Sequence, residues 1–339
     1  MIKTDIQLSH YLDDIKDETL LALDTEFRRV DSYFPELCLI QIATEDQIVC
    51  IDVLSILNLE PLFEKLYDGQ TKWVVHSARQ DIEALYFLSK RVPNTIFDTQ
   101  IAASFLNFPL QVSYQSLTER LQNVFLEKKH TRFDWRKRPL PSDVLQYALD
   151  DVKYLIPIYN QLSKELIRNK KLEWAEEEFE FLLNIDTYKP NFRQIIKKTK
   201  GISTIPSQNK ENAIKLLLWR ESIAQKKNKP RKWIMTDEKL INYANGINKL
   251  STSSLNEYKK FLKSNKTRPG LEDLIKVQKP LSDKEVLIKN KLKEQIKALS
   301  LEYNIHSELI CTSKNLVNFI RGEDLVTINK GWRSKIFKL

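Results

Sequence analysis

Along the first hundred residues, short apolar runs alternate with polar breaks. "LLALDTEF", "ELCLIQIAT", "QIVCIDVL", "KWVVHSA" and "TIFDTQ" are each rich in Leu, Ile and Val and bounded by polar residues or proline, the pattern of strands. The first three follow each other closely, with only residues 28–35 and 45–46 between them, which predicts an antiparallel meander. Apolar residues then recur at helical spacing in "LEPLFEKLYDG", "RQDIEALYFLSKR" and "SYQSLTERLQNVF". From Ser142 the period predicts one long helix. Its core stripe is Leu145, Ala148, Val152, Leu155, Tyr159 and Leu162, with Pro157 on the solvent side, where a kink is easiest to tolerate. A meander followed by alternating helices and strands predicts a mixed α/β layer over residues 1–188.

Near residue 186 the texture changes. "DTYKPNFRQIIKKTKGISTIPSQNK" is rich in Lys, Thr, Ser and Pro and reads as a linker over 189–207. Everything beyond it reads as helix. Leu216, Trp219 and Ile223 stand at i, i+3 and i+7, and a second break, "VQKPLSDKE", divides a helical unit over 208–278 from another over 279–339.

Charge changes this picture more than composition does. Residues 1–188 hold 21 Lys/Arg against 31 Asp/Glu, whereas residues 189–339 hold 33 against 14. An acidic half joined to a half of net charge +19 points to a polyanionic partner, and nucleic acid fits better than a membrane because no basic segment abuts a long apolar helix. No apolar run approaches transmembrane length, and the N-terminus lacks the order of a signal peptide. Cys38, Cys50 and Cys311 lie far apart without a CxxC. They are expected to be packing residues in a reduced, cytoplasmic compartment rather than zinc ligands.

The candidate chemistry lies in carboxylates. Asp24 and Glu26 stand at i and i+2 of the first strand, so both project from one face. Either that strand end reaches solvent, or a cation such as Mg²⁺ or Mn²⁺ sits between the two acids. At about 100° per residue, Asp150 of the long helix faces solvent, while Asp151 flanks the buried stripe with Tyr147 four residues before it. Asp81 falls near a helix start, where acids are favoured for the dipole alone, and Asp98 is placed to cap the helix that follows it.

Together these pieces resemble a known family. "DTEF", "HSARQD" and "YALDD" follow the order of exonuclease motifs in the DEDD superfamily, and the YxxxD spacing of Tyr147 and Asp151 marks its tyrosine-bearing subclass. "LALDTEFRRVDSYFPELCLIQIA", "IFDTQIAASFL", "RFDWRKRPL" and "YALDDVKYLIPIY" are similar to ribonuclease D across residues 20–180, and "LLLWRESIAQKKNKPRKWIMTDEKLINYA" resembles an HRDC domain. The tail from "HSELICTSKNLVNFIRGED" resembles, less specifically, a second and divergent HRDC copy.

The resemblance implies an RNase H-like mixed-sheet exonuclease domain followed by all-α HRDC-type domains. It further implies two divalent cations held by Asp24, Glu26, Asp81 and Asp151, with Asp24 bridging and Tyr147 orienting the attacking water. The expected reaction is 3′–5′ hydrolysis of RNA to nucleoside 5′-monophosphates by a monomer, on tRNA precursors or other structured RNA with a single-stranded 3′ end. Phe27, His76, Lys128, Lys129, Arg132, Arg136 and Arg138 are candidate RNA contacts. Asp134 and Trp135 are expected to shape their loop. Removing residues 190–339 should then weaken structured-RNA binding and spare short oligomers. A DNA-directed DEDD exonuclease is the alternative. A dead RNA-binding protein is disfavoured, because all four acids and Tyr147 are present.

Overall fold

The computed structural model describes residues 1–127, 130, 133–265, 274–275, 280–322 and 328–337. Its sheet has five strands, β1 (Leu20–Arg28), β2 (Glu36–Ala43), β3 (Ile48–Asp52), β4 (Lys72–Val75) and β5 (Thr95–Asp98), in the order β3-β2-β1-β4-β5. β2 and β3 pair antiparallel, while β1 with β4 and β4 with β5 pair parallel. The mixed α/β layer expected from the apolar pattern is therefore present. Helices α1 (Asp5–Asp14), α2 (Glu60–Leu66), α3 (Arg79–Ser89), α4 (Thr99–Ser104), α5 (Tyr114–Gln122), α6 (Ser142–Lys153), α7 (Leu155–Arg168) and α8 (Leu172–Leu183) accompany the sheet. The registered pairs of β1 with β4 end at Ala22 and Val74, so the Asp24 end of β1 runs on past its parallel neighbour.

The long helix predicted from Ser142 is two. α6 ends at Lys153, Tyr154 leaves helical geometry at φ −104°, ψ 3°, and α7 begins at Leu155. The apolar stripe spans both because the break costs one residue; Ala148, Val152, Leu155 and Leu162 are all buried. Pro157 fits as the third residue of the new helix, where its missing N–H leaves no donor unpaired.

Contacts divide the chain into two units. The first comprises Met1–Arg28, Leu37–Tyr188 and Leu281–Leu339, and the second Arg29–Glu36 and Lys189–Pro280. Residues 189–207, read from the sequence as a linker, instead carry helix Phe192–Lys198 and put Ile195, Ile196, Ile202 and Ile205 into the second unit's core, and the tail is not set apart from the first unit. Its helices α14 (Asp283–Glu302), α15 (Ser307–Ile310), α16 (Ser313–Ile320) and α17 (Gly331–Ile336) share one core with the sheet. Trp332 is fully buried, stacked on Trp174 of α8 at 4.8 Å and edge-on to Phe105 at 5.6 Å. The Lys171 ammonium donates to the carbonyls of Phe105 and Asn304 at 2.9 and 3.0 Å. Removing residues 190–339 would thus strip core residues from the catalytic unit, which corrects the expectation that such a truncation spares short-oligomer cleavage.

The second unit is helical: α9 (Phe192–Lys198), α10 (Lys210–Lys226), α11 (Arg231–Ile234), α12 (Asp237–Ala244) and α13 (Thr252–Ser264). Leu216, Trp219 and Ile223 are buried as their spacing predicts. The loop Arg29–Glu36 belongs here. Asn228 Oδ1 accepts from the backbone of Tyr33 and Phe34, and the Tyr33 hydroxyl bonds Glu221, itself paired with Arg231 at 2.5 Å. Among the described residues, no helix is long and apolar enough to cross a membrane.

Candidate active site

β1 presents Asp24 and Glu26 from one face, and α6, packed on β1 and β3, brings in Asp151. Carboxylate oxygens of Asp24, Glu26 and Asp151 lie within 4.8 Å of one another. Asp81 is not part of that triad. It is buried in the first turn of α3, where its Oδ1 accepts a 2.6 Å hydrogen bond from the hydroxyl of Thr25, the residue between Asp24 and Glu26. Thr25 was missed by sequence reasoning; its position inside DTE is the only hint.

The turn that delivers Asp81 is built by Asp98. Its carboxylate accepts from the N–H groups of Ser77 and Ala78 at 3.1 and 2.9 Å, fixing Ser77 at a left-handed φ of 61°, and caps α4 through Gln100 and Ile101. The expected cap is present, and it also anchors the start of α3.

Burial and mutual repulsion shape the electrostatics. Burial foremost, then Asp81, Asp151 and Glu26, push Asp24 well above the usual carboxylate range. Glu26 is pushed up to about 9 by burial and by Asp151 and Asp81. Burial also raises Asp81 and Asp151, each to about 7, against the opposing hydrogen bonds of Thr25 and Tyr147 respectively. Crowded acids in this state are relieved by a cation, and an all-carboxylate oxygen set matches a hard divalent ion. The donor set therefore fits the expected metal.

Tyr147 hydrogen-bonds Asp151, as the YxxxD spacing implies. Burial and the neighbouring Asp151, Glu26 and Asp24 hold its hydroxyl far above its ordinary value, so it stays protonated and can donate. Tyr147 and Asp151 open onto a cleft of about 210 Å³ lined also by Gln115, Phe125, His130 and Asp150. Asp150, expected in solvent, is half-buried there. Phe125 is 76% exposed, and His130 lies 3.1 Å from Asp143. Neither Phe125 nor His130 carries a periodic signal that would have marked it.

The expected RNA contacts fare unequally. Arg138 is corrected: its guanidinium donates to both oxygens of Asp52 at 2.6 Å and to the carbonyls of Cys38, Trp135 and Lys137. All five of its N–H groups are thereby engaged. Burial alone would raise Asp52, but this pairing holds it below its usual value. Both ring nitrogens of His76 bond within the fold, to Thr99 and to the Val112 carbonyl, and burial lowers its pKa, so it is a neutral internal brace. Arg136 bonds Asp134 twice, at 3.1 Å each, and Trp135 is buried with Cys38, Cys50 and Ala148, so Asp134 and Trp135 do shape the loop. Phe27 is half-buried against the main core. Lys128, Lys129 and Arg132 lie outside the described residues.

Residues 1–167 match the family model described as a 3′–5′ exonuclease. The chain is 33% identical to ribonuclease D of Bartonella henselae over 98% of this chain and 86% of that one. It is 32% identical to ribonuclease D of Jannaschia sp. over 99% and 92%. Its fold is similar to the crystal structure of Escherichia coli RNase D, with a TM-score of 0.84 and 24% identity over 99% of this chain and 96% of that one.

Proposed function

The chain belongs to the ribonuclease D family of 3′–5′ exoribonucleases, and from that premise we propose that Asp24, Glu26, Asp81 and Asp151 hold two divalent cations, Mg²⁺ or Mn²⁺, at the scissile phosphate. The observation that carries this reading is the half-buried carboxylate triad beside the Asp151-bonded Tyr147 hydroxyl. When bound, such ions supply charge neutralisation at the phosphate and acidify water. The chain's own residues do the rest. With its single proton given to Asp151, the Tyr147 hydroxyl accepts from and orients the attacking water. Thr25 fixes the Asp81 carboxylate, and Asp98 fixes the turn that presents it. The exposed ring of Phe125 offers a face to a base of the single-stranded 3′ end.

Hydrolysis releases nucleoside 5′-monophosphates one at a time. The +19 charge of residues 189–339 supports structured RNA as the substrate, tRNA precursors with extra 3′ nucleotides among them, bound by a monomer. The test is metal-dependent stabilisation. Mn²⁺ at about 100 times its dissociation constant should stabilise the wild type by roughly 2.7 kcal/mol, and Asp24→Asn should lose most of that gain. An equal thermal shift in both proteins would remove the metal site from these residues.

A further inference from the structure

Three residues after Asp151 the helix breaks, and a side chain makes the break. In a continuous helix the Tyr154 N–H would donate to the Asp150 carbonyl. Instead the Tyr114 hydroxyl lies between them: it accepts from Tyr154 N–H at 3.0 Å and donates to the Asp150 carbonyl at 3.0 Å. Insertion of a side chain into the ladder is a recognised cause of a sharp helix bend. Tyr114 is well placed to hold such a wedge. It is buried at the start of α5, whose N-cap Ser113 accepts from Ser116 N–H. Its ring lies 5.8 Å from that of His76, which Thr99 and the Val112 carbonyl fix in turn.

We propose that Tyr114 is a positioning residue for Asp151, setting through the backbone of Asp150 the direction in which the Asp151 carboxylate points. The proposal rests on the metal-site reading above. Tyr147 grips the Asp151 carboxylate itself, whereas Tyr114 holds the turn that carries it. Without the hydroxyl, the Asp150 carbonyl and Tyr154 N–H either pair directly, which closes the bend, or the Asp150 carbonyl loses this partner and Tyr154 N–H keeps only the Val152 carbonyl; both outcomes release the turn. Loss of an outer partner of a metal ligand typically costs about 10–100-fold in metal affinity or activity.

The experiment uses the full chain and Tyr114→Phe, which deletes one oxygen and keeps the ring, with circular dichroism to check the fold. Mn²⁺ binding is followed by electron paramagnetic resonance, and kcat and KM are measured on a short RNA oligomer. Mn²⁺ affinity should fall about 10–100-fold and kcat with it, while KM for RNA stays put. In an Asp151→Asn background, Tyr114→Phe should add no further loss of Mn²⁺ affinity, because its effect runs through that carboxylate. Mn²⁺ affinity and kcat within twofold of wild type, or an equal further loss in the Asp151→Asn background, would overturn the proposal. A wild type that binds no Mn²⁺ would overturn the metal reading itself, and this proposal with it.

Discussion

Replacing Trp332 by Ala should destabilise the catalytic unit, although Trp332 lies far from β1 in sequence. The side chain is fully buried, stacked on Trp174 and edge-on to Phe105, and its indole N–H donates to Glu178 at 3.0 Å. A buried Trp removes about 150–250 Å² from water, which at ~25 cal/mol per Å² is roughly 4–6 kcal/mol. The alanine keeps part of that burial, and Trp→Ala changes in cores typically cost about 3–5 kcal/mol. For a unit of this size each kcal/mol moves Tm by about 2–4 °C, so Tm should fall by roughly 6–20 °C. Thermal denaturation followed by circular dichroism reads this directly, and activity on a short RNA oligomer should disappear at the same lowered temperature. A Tm change under about 2 °C, with short-oligomer cleavage intact, would show that the tail peels away as an independent module. That result would refute the shared core.

Other consequences can be checked separately. Arg138→Ala leaves Asp52 buried without its partner and should cost about 3–5 kcal/mol in urea denaturation, while RNA affinity measured below the unfolding range stays within about twofold. The pairing holds the Asp52 pKa below its unfolded value, so its contribution is present at neutral pH and is lost as pH falls through the folded pKa. The stability gap between wild type and Arg138→Ala should therefore narrow in acid; a constant gap from pH 7 to pH 3 would contradict the assignment. RNA binding by the basic half should weaken by roughly 10³-fold between 50 and 200 mM salt if about six phosphates are contacted; a flat profile in filter binding would remove its phosphate-gripping role. Thr25→Val deletes the hydroxyl that fixes Asp81, and kcat on RNA should fall roughly tenfold or more with KM unchanged; an unchanged kcat would make that hydrogen bond incidental.

Much of the site was legible because its signals are local. Asp24 and Glu26 share a face by strand geometry, and Tyr147 and Asp151 meet by helical spacing; both pairs converge as expected. What the sequence hid depends on distant partners. Arg138 looked like one more cation in a basic loop, yet Asp52, 86 residues away, engages it. His76 looked like a cleft residue, but Thr99 and Val112 occupy its nitrogens. The helix break after Lys153 is invisible to periodicity, because the apolar stripe runs through it and the wedge comes from Tyr114. The tail reads as a helical module, and helices do form there. The pattern does not say which surface that module covers, and the covered surface includes Trp174 and Phe105 of the catalytic unit.

The central claim is that the Asp24, Glu26, Asp81 and Asp151 carboxylates trim RNA from its 3′ end with bound divalent ions. It is tested most directly with end-labelled RNA and DNA of one sequence, incubated with Mg²⁺, Mn²⁺ or EDTA and either wild type or Asp24→Ala. Stepwise loss of 3′ nucleotides from RNA, abolished both by EDTA and by Asp24→Ala, is the predicted result. Equal or faster shortening of DNA would assign the site to DNA, and RNA trimming that survives EDTA or Asp24→Ala would contradict the metal-dependent account.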